Sequence, residues 1–308
     1  LDYDDPLPQT VYHLAVKPSG KVALVVPLKI ASSMQNSTQN GQDVKPHLML
    51  QRGHTATIRS IAFSPDGNLL ATGGEDQVIK LWSVSNRKEL RSFSSNQNVA
   101  LSVAFHPGGQ ILASGNGDGS VRLWEAATGR QIRVMQKEPI KNPQPSDLSR
   151  GKLLLIPSKG YVSVVSAVAF SSDGRILASG SFDGKITLWD AGTGQEMASW
   201  PGHLIRVASI TFSADGQTLV SGGYDGTVRF WNVTNGHQLH LGNHDGQVTS
   251  IALSPNGKLL ASGGTDKKVK LWNVADGSVL QTHSGHTNRV TRLAWSPDGN
   301  TLASAGRD

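Results

Sequence analysis

Tryptophan returns along this chain at an almost fixed interval, at Trp82, Trp124, Trp189, Trp231 and Trp272, with gaps of 42, 65, 42 and 41 residues. A period in the low forties marks one supersecondary unit copied several times, each copy with an apolar face that only its neighbours can cover. The chain is therefore an array. Function has to lie in how the copies differ.

A second phrase runs in step with the first. Residues 61–67 read Ile-Ala-Phe-Ser-Pro-Asp-Gly, and variants recur at 14–20, 103–109, 168–174, 210–216, 251–257 and 293–299. Each closes on glycine: Gly20, Gly67, Gly109, Gly174, Gly216, Gly257 and Gly299. Between two apolar runs this is a turn with a mechanism: proline presets φ, Asp or Asn caps the turn, and glycine takes the positive φ of a tight hairpin. A short apolar run follows each glycine. A second turn comes at Asp76 and its counterparts, then an alternating stretch such as Val78, Lys80 and Trp82, then another short run such as 89–93. That makes four strands per copy, with no sustained 3.6-residue period, and the expected class is all-β.

Gly53-His54, Gly202-His203 and Gly285-His286 stand at matching places, with His244 after Asn243 in another copy. Trp189-Asp190 ends one third strand; elsewhere Ser83, Glu125, Asn232 or Asn273 follows the tryptophan. With these marks the chain resembles the WD40-repeat family over nearly its whole length. The resemblance implies a single domain, 1–308, folded as a seven-bladed β-propeller with four antiparallel strands per blade. The expected blades are 11–51, 52–93, 94–136, 159–200, 201–241, 242–282 and 283–308, with an insertion loop at 137–160. The first blade is degenerate: 11–16 and 21–26 look like strands, but 32–45 is polar and lacks a tryptophan. The last is expected to be incomplete, since the sequence stops at Asp308 before a third strand. A start at Leu1 suggests a piece of a longer protein, and a bacterial-type chain fused to an effector is one expectation.

Composition narrows the function classes. Zero cysteines exclude disulfides, thiol catalysis and cysteine-ligated metal. No apolar run approaches the ~18 residues of a membrane span, and no secretory signal is visible, so a cytoplasmic setting is expected. The 29 basic and 23 acidic residues are interspersed, and their net charge of +6 is modest. Nucleic-acid binding would need a basic patch. The nearest candidate is the insertion, with five basic and two acidic residues.

Histidine, Ser/Thr, Asp and Trp recur in register, which invites an enzymatic reading. The sets are His54, Thr72, Asp76, Trp82; His203, Ser221, Asp225, Trp231; His244, Ser262, Asp266, Trp272; and His286, Ser304, Asp308. A catalytic triad occurs once per site, whereas this set occurs about four times. The resemblance implies instead a structural hydrogen-bonded chain within each blade. Asn96 and Tyr161 stand where histidine is expected, so those two blades should be less tightly tied. His237 and His240 have metal-like spacing but flank one strand on opposite faces. Residues 115–119 mimic a phosphate loop without the helix it requires. No metal, cofactor or catalytic residue is expected.

Small residues fill the innermost strands, among them Ser60, Ala62, Ser102, Ala104, Ala167, Ala169, Ser209, Ser250 and Ala252, with Arg292 and His13 as exceptions. Apolar residues three apart there predict a β-bulge in each such strand. The resemblance places the loops before strand a and between strands b and c on one face, where partners dock. The variable residues of those loops include Tyr161, Phe182, Arg206, Tyr224, Gln247 and Arg289, with Trp200 nearby in the chain. Aromatic and arginine clusters anchor interfaces. The expected function is a non-catalytic scaffold, most simply a monomer, binding other proteins or peptides on that face. The alternatives are a propeller enzyme or small-ligand binder at the channel mouth, or nucleic-acid binding through the insertion.

Overall fold

The computed structural model describes residues 53–94, 98–137 and 163–308, together with the backbone of four short strands at 14–16, 22–24, 154–156 and 160–162. Every regular element among the described residues is a β-strand. Near the N-terminus β1 (Leu14–Val16) pairs with β2 (Val22–Leu24). The first four-stranded sheet is β3 (Ile58–Phe63), β4 (Leu69–Gly74), β5 (Val78–Ser83) and β6 (Lys88–Ser94). The second is β7 (Ala100–Phe105), β8 (Ile111–Asn116), β9 (Ser120–Glu125) and β10 (Gln131–Gln136). A hairpin of β11 (Leu154–Ile156) and β12 (Gly160–Val162) precedes the third sheet, β13 (Val165–Phe170), β14 (Ile176–Ser181), β15 (Lys185–Asp190) and β16 (Glu196–Pro201). The fourth is β17 (Val207–Phe212), β18 (Thr218–Gly223), β19 (Thr227–Asn232) and β20 (Gln238–Asn243). The fifth is β21 (Val248–Leu253), β22 (Leu259–Gly264), β23 (Lys268–Asn273) and β24 (Val279–Ser284), and β25 (Val290–Trp295) pairs with β26 (Leu302–Gly306). Strands are antiparallel throughout, in sequence order within each sheet.

The all-β expectation is met, and five of the expected units appear as complete four-stranded sheets. Within the stretch expected as an insertion loop at 137–160, residues 154–156 pair as β11 with β12, in a two-stranded sheet separate from the third sheet. Positions 13, 32–45 and 96 lie outside the described residues, as does most of the insertion.

The Ser-Pro-Asp-Gly turns explain the first hairpin of each sheet. At 64–69 the buried Ser64 hydroxyl donates to Asp66 Oδ1 at 2.5 Å and accepts from the Leu69 N–H at 2.9 Å. Gly67 sits at φ 70°, where a Cβ would be strained. These turns put the start of each first strand and the turn between second and third strands at the same end of the molecule.

First strands then pack on one another in sequence: β3 on β7, β7 on β13, β13 on β17, β17 on β21, and β21 on β25. Each first strand carries the expected bulge, the pairing register shifting between Ile58 and Ser60, Ala100 and Ser102, Val165 and Ala167, Val207 and Ser209, Val248 and Ser250, and Val290 and Arg292. Close approach depends on glycine in the preceding second strand. A Cβ at Gly222 would lie 2.6 Å from Val248 Cγ1, and one at Gly180 would lie 2.5 Å from Val207 Cγ1. The core is thus divided among the interfaces. One cluster joins Ile186 and Leu188 to Val207, Leu219 and Trp231, and the next joins Val228 and Phe230 to Val248, Leu260 and Trp272.

Candidate functional site at the variable loops

Each recurring side chain in the repeats has first to be assigned to scaffold or surface. His203 Nδ1 lies 2.9 Å from Asp225 Oδ1, and its Nε2 lies 2.7 Å from Ser221 Oγ. Trp231 Nε1 donates to the same hydroxyl at 2.9 Å. An ionised carboxylate can only accept, so the imidazole proton sits on Nδ1 and the serine hydroxyl donates to Nε2. The same geometry returns at His244, Asp266, Ser262 and Trp272 (2.9, 2.6 and 2.7 Å). It returns at His54, Asp76, Thr72 and Trp82 (2.8, 2.6 and 2.9 Å), and at His286, Asp308 and Ser304 (2.9 and 2.7 Å).

A hydroxyl–imidazole–carboxylate line is also how a nucleophile is activated. Here Ser221 and Ser262 are 0% exposed, and the tryptophan N–H occupies the oxygen that would attack. No substrate reaches them. The arrangement instead ties the loop before the first strand to the second strand, the following turn and the third strand. Burial alone would raise the Asp225 pKa, but the His203 ring, the Leu204 N–H and the Thr227 hydroxyl outweigh it and hold the carboxyl well below its ordinary range.

The two units that lack the histidine differ from each other, and one corrects the expectation of looseness. In the second sheet Arg122, on the third strand, donates to Asp118 Oδ2 at 2.6 Å, with the Ser120 hydroxyl on Oδ1 at 2.5 Å. Arg122 and Asp118 are both buried, and Trp124 still donates to Ser114 Oγ at 2.9 Å. An arginine from within the sheet replaces the imidazole. In the third sheet the Asp183 carboxylate has, among the described residues, local partners, the Ser181 hydroxyl at 2.6 Å and the Lys185 N–H at 3.2 Å, while its N–H donates to Ser163 Oγ at 3.0 Å in the loop before the first strand. Tyr161 lies on β12, where it pairs with Leu155.

The remaining variable residues form a regular rim. The turn between second and third strands bonds to the loop before the first strand in every described unit. Glu75 N–H donates to Thr57 O, Gly117 to Val99, Phe182 to Val164, Tyr224 to Arg206, Thr265 to Gln247 and Arg307 to Arg289, at 2.9–3.1 Å. These six pairs are equivalent positions, so their differences are the differences between copies.

Three of them meet. The Arg206 guanidinium stacks on the Phe182 ring with its carbon 4.5 Å from the ring centre, and on Tyr224 at 5.0 Å. Phe182 belongs to the third sheet and Tyr224 to the fourth, so arginine is clasped between neighbouring units. Each such contact contributes about 0.5–2 kcal/mol and holds the long side chain in one place. Gln247 and Arg289 occupy the equivalent places of the next two units without joining the clasp. Gln247 is exposed, its N–H on Thr265 Oγ1 at 2.9 Å.

Trp200, near these residues in the chain, is not on the rim. It packs on Trp231 with ring centres 6.0 Å apart, part of the contact between the third and fourth sheets. Sequence reasoning also missed Leu204, 71% exposed on the Arg206 loop, where the equivalent residues are Thr55, Asp245 and Thr287. An apolar residue among polar equivalents was the available signal. Among the described residues no group of three or more His, Cys, Asp or Glu could hold a metal ion, and no helix is long and apolar enough to cross a membrane.

The family described as WD domain, G-beta repeat matches residues 46–83, 87–125, 154–190, 194–232, 236–273 and 277–308. Among curated relatives, small ribosomal subunit protein RACK1 of Brassica napus is 36% identical over 46% of this chain and 41% of its own length. Eukaryotic translation initiation factor 3 subunit I of Phaeosphaeria nodorum is 25% identical over 48% of the chain and 41% of its own length. Ribosome biogenesis protein BOP1 homolog of Aedes aegypti is 38% identical over 19% of the chain and 7% of its own length. The chain thus aligns with less than half the length of these relatives. They are eukaryotic, so the bacterial-type expectation finds no support.

Proposed function

The chain belongs to the WD40-repeat family, and we propose that it is a non-catalytic scaffold that binds other proteins or peptides on the face carrying the variable loops. In this reading the units form a seven-bladed propeller, and the first strands line its axis. The observation that carries the proposal is the clasp of Arg206 between Phe182 and Tyr224. Scaffold residues in this chain repeat; this trio occurs at one junction. Rigid aromatic and arginine side chains are the usual anchors of interfaces, because little conformational entropy is left to lose when a partner arrives. Leu204 extends the same surface with an apolar side chain open to solvent. Two of the relatives are, by name, a ribosomal subunit protein and one subunit of a translation initiation factor, both components of larger assemblies. That accords with a scaffold.

Site-directed photocrosslinking tests the face. A photoreactive amino acid at Leu204 should capture a reproducible set of proteins, whereas one at the exposed Lys258, on the turn at the opposite end, should not. Equal capture from both positions would contradict the assignment.

A further inference from the structure

One inner-strand position departs from the others in a way the repeat does not require. The residue after each bulge pairs with the small residue of the second strand: Ser60 with Gly73, Ser102 with Gly115, Ala167 with Gly180, Ser209 with Gly222, Ser250 with Gly263, and Arg292 with Ala305. Three of the four serines there stitch units together. Ser60, Ser102 and Ser250 accept the N–H of Val103, Val168 and Leu293, each at 3.1 Å. Arg292 puts a long cation where five other units keep Ser or Ala.

Its guanidinium reaches away from its own sheet. Nη1 donates to Thr291 O at 2.9 Å and Nη2 donates to Arg59 O, on β3, at 2.6 Å. Arg59 lies in the first described four-stranded sheet and Arg292 in the two-stranded β25–β26 sheet that ends the series, so the side chain spans between the two ends of the series. Arg292 is open to solvent yet surrounded by protein, as a residue in a channel is. Burial pushes its pKa down, the Arg206 and Arg59 charges push the same way, and only Tyr224 opposes them.

Arg292 thus reaches the Arg59 backbone and lies near enough to the clasped Arg206 for the two charges to act on each other. Arg59 has a carboxylate partner, Glu75. Among the described residues no carboxylate lies within ion-pair distance of Arg292, nor of Arg289 and Arg307 on the same unit's rim. A cation beside other cations attracts an opposite charge, and the described part of the protein does not supply one to Arg292. The planar fork of arginine fits a carboxylate. The pair of cations is local, and one of the two, Arg206, lies on aromatic rings in the loop that carries Leu204. That suits acidic side chains on a peptide better than the evenly spaced phosphates of a nucleic acid, which call for a basic stripe.

We propose that Arg206 and Arg292 form a carboxylate port, into which the acidic side chains of a partner peptide dock beside the Phe182 and Tyr224 rings. The port rests on the assignment of this face as the interface and names the chemistry of what it binds.

Fluorescence anisotropy with labelled oligoglutamate, oligoserine and oligothymidylate tests it, on the wild-type protein and on Arg292→Ser, Arg292→Lys and the double variant Phe182→Ala/Tyr224→Ala. Serine is chosen because it stands at this position in four other units. Oligoglutamate should bind with an affinity that falls as salt rises, oligoserine should not bind, and Arg292→Ser should weaken binding about tenfold, the loss of a charge-assisted contact. Arg292→Lys keeps the charge without the fork and should lose part of the affinity; it supplies the readout if Arg292→Ser fails to fold. No oligoglutamate binding, equal binding by wild type and both Arg292 variants, or tighter binding of oligothymidylate overturns the port. The double variant separates the two claims. If it loses crosslinked partners at Leu204 yet still binds oligoglutamate, both stand; if wild type captures partners but ignores oligoglutamate, only the port falls.

Discussion

At the residue scale, hydrogen bonds make each copy hold its own loop. Replacing His203 by Ala leaves Asp225 and Ser221 without their ring partner, and should cost about 1–3 kcal/mol of unfolding free energy, read as a lower urea midpoint. An unchanged midpoint would show that the network contributes nothing. The second sheet makes the sharper case, because Asp118 relies on Arg122 in place of histidine. Arg122→Ala strands a buried carboxylate and should cost about 3–5 kcal/mol, more than His203→Ala. This substitution was hidden from the sequence: an arginine on a third strand reads as an exposed charge until the aspartate four residues before it is seen to turn toward it.

Acid should undo the same contacts. Asp225 and Asp118 are held below their ordinary range, burial opposing and hydrogen bonds with charge prevailing. Their folded pKa lies below the unfolded one, so their stabilisation is complete above about pH 4 and is lost as pH falls through the folded value. Burial also pushes His244 down, although Asp266 pulls it up. Below about pH 6.5 the unfolded chain therefore takes up a proton that folded His244 resists, and stability falls in the same direction. Urea midpoints should decline from pH 7 to pH 5 and more steeply below about pH 4. A higher midpoint at pH 5 than at pH 7 would contradict this.

At the scale of elements, strands and turns were legible because their causes are local. The Ser-Pro-Asp-Gly phrase makes its own hydrogen bonds within a few residues, and the bulge shows as two apolar residues three apart. The glycine after the Ser or Thr of each four-stranded sheet's second strand has a different origin, since what it meets is the first strand of the next sheet. Gly222→Ala places a methyl 2.6 Å from Val248 Cγ1 and should cost about 1–3 kcal/mol by forcing two units apart. Gly285→Ala meets nothing within 4 Å and should be near neutral. Equal effects on thermal stability would mean that the sheets adjust freely. What escaped the sequence at this scale was the short β11–β12 pairing, which no other described copy repeats, and the non-local packing of Trp200 on Trp231.

At the scale of the whole molecule, five complete sheets and the packing of first strands follow from repetition alone, since each unit buries its apolar side on the next. The repeats also reveal the candidate site by subtraction: once the recurring histidines, aspartates and tryptophans are assigned to the scaffold, Phe182, Arg206 and Tyr224 remain. Their register placed them on adjacent units, but register cannot show that two rings close on one guanidinium. Nor can it show Arg292 reaching Arg59, a contact between residues 233 positions apart. The most direct measurement is affinity capture with the wild-type protein beside a Phe182→Ala, Arg206→Ala, Tyr224→Ala variant of matched thermal midpoint. Loss of the wild-type partners from the variant is the predicted result; recovery of the same partners by both proteins would contradict the account.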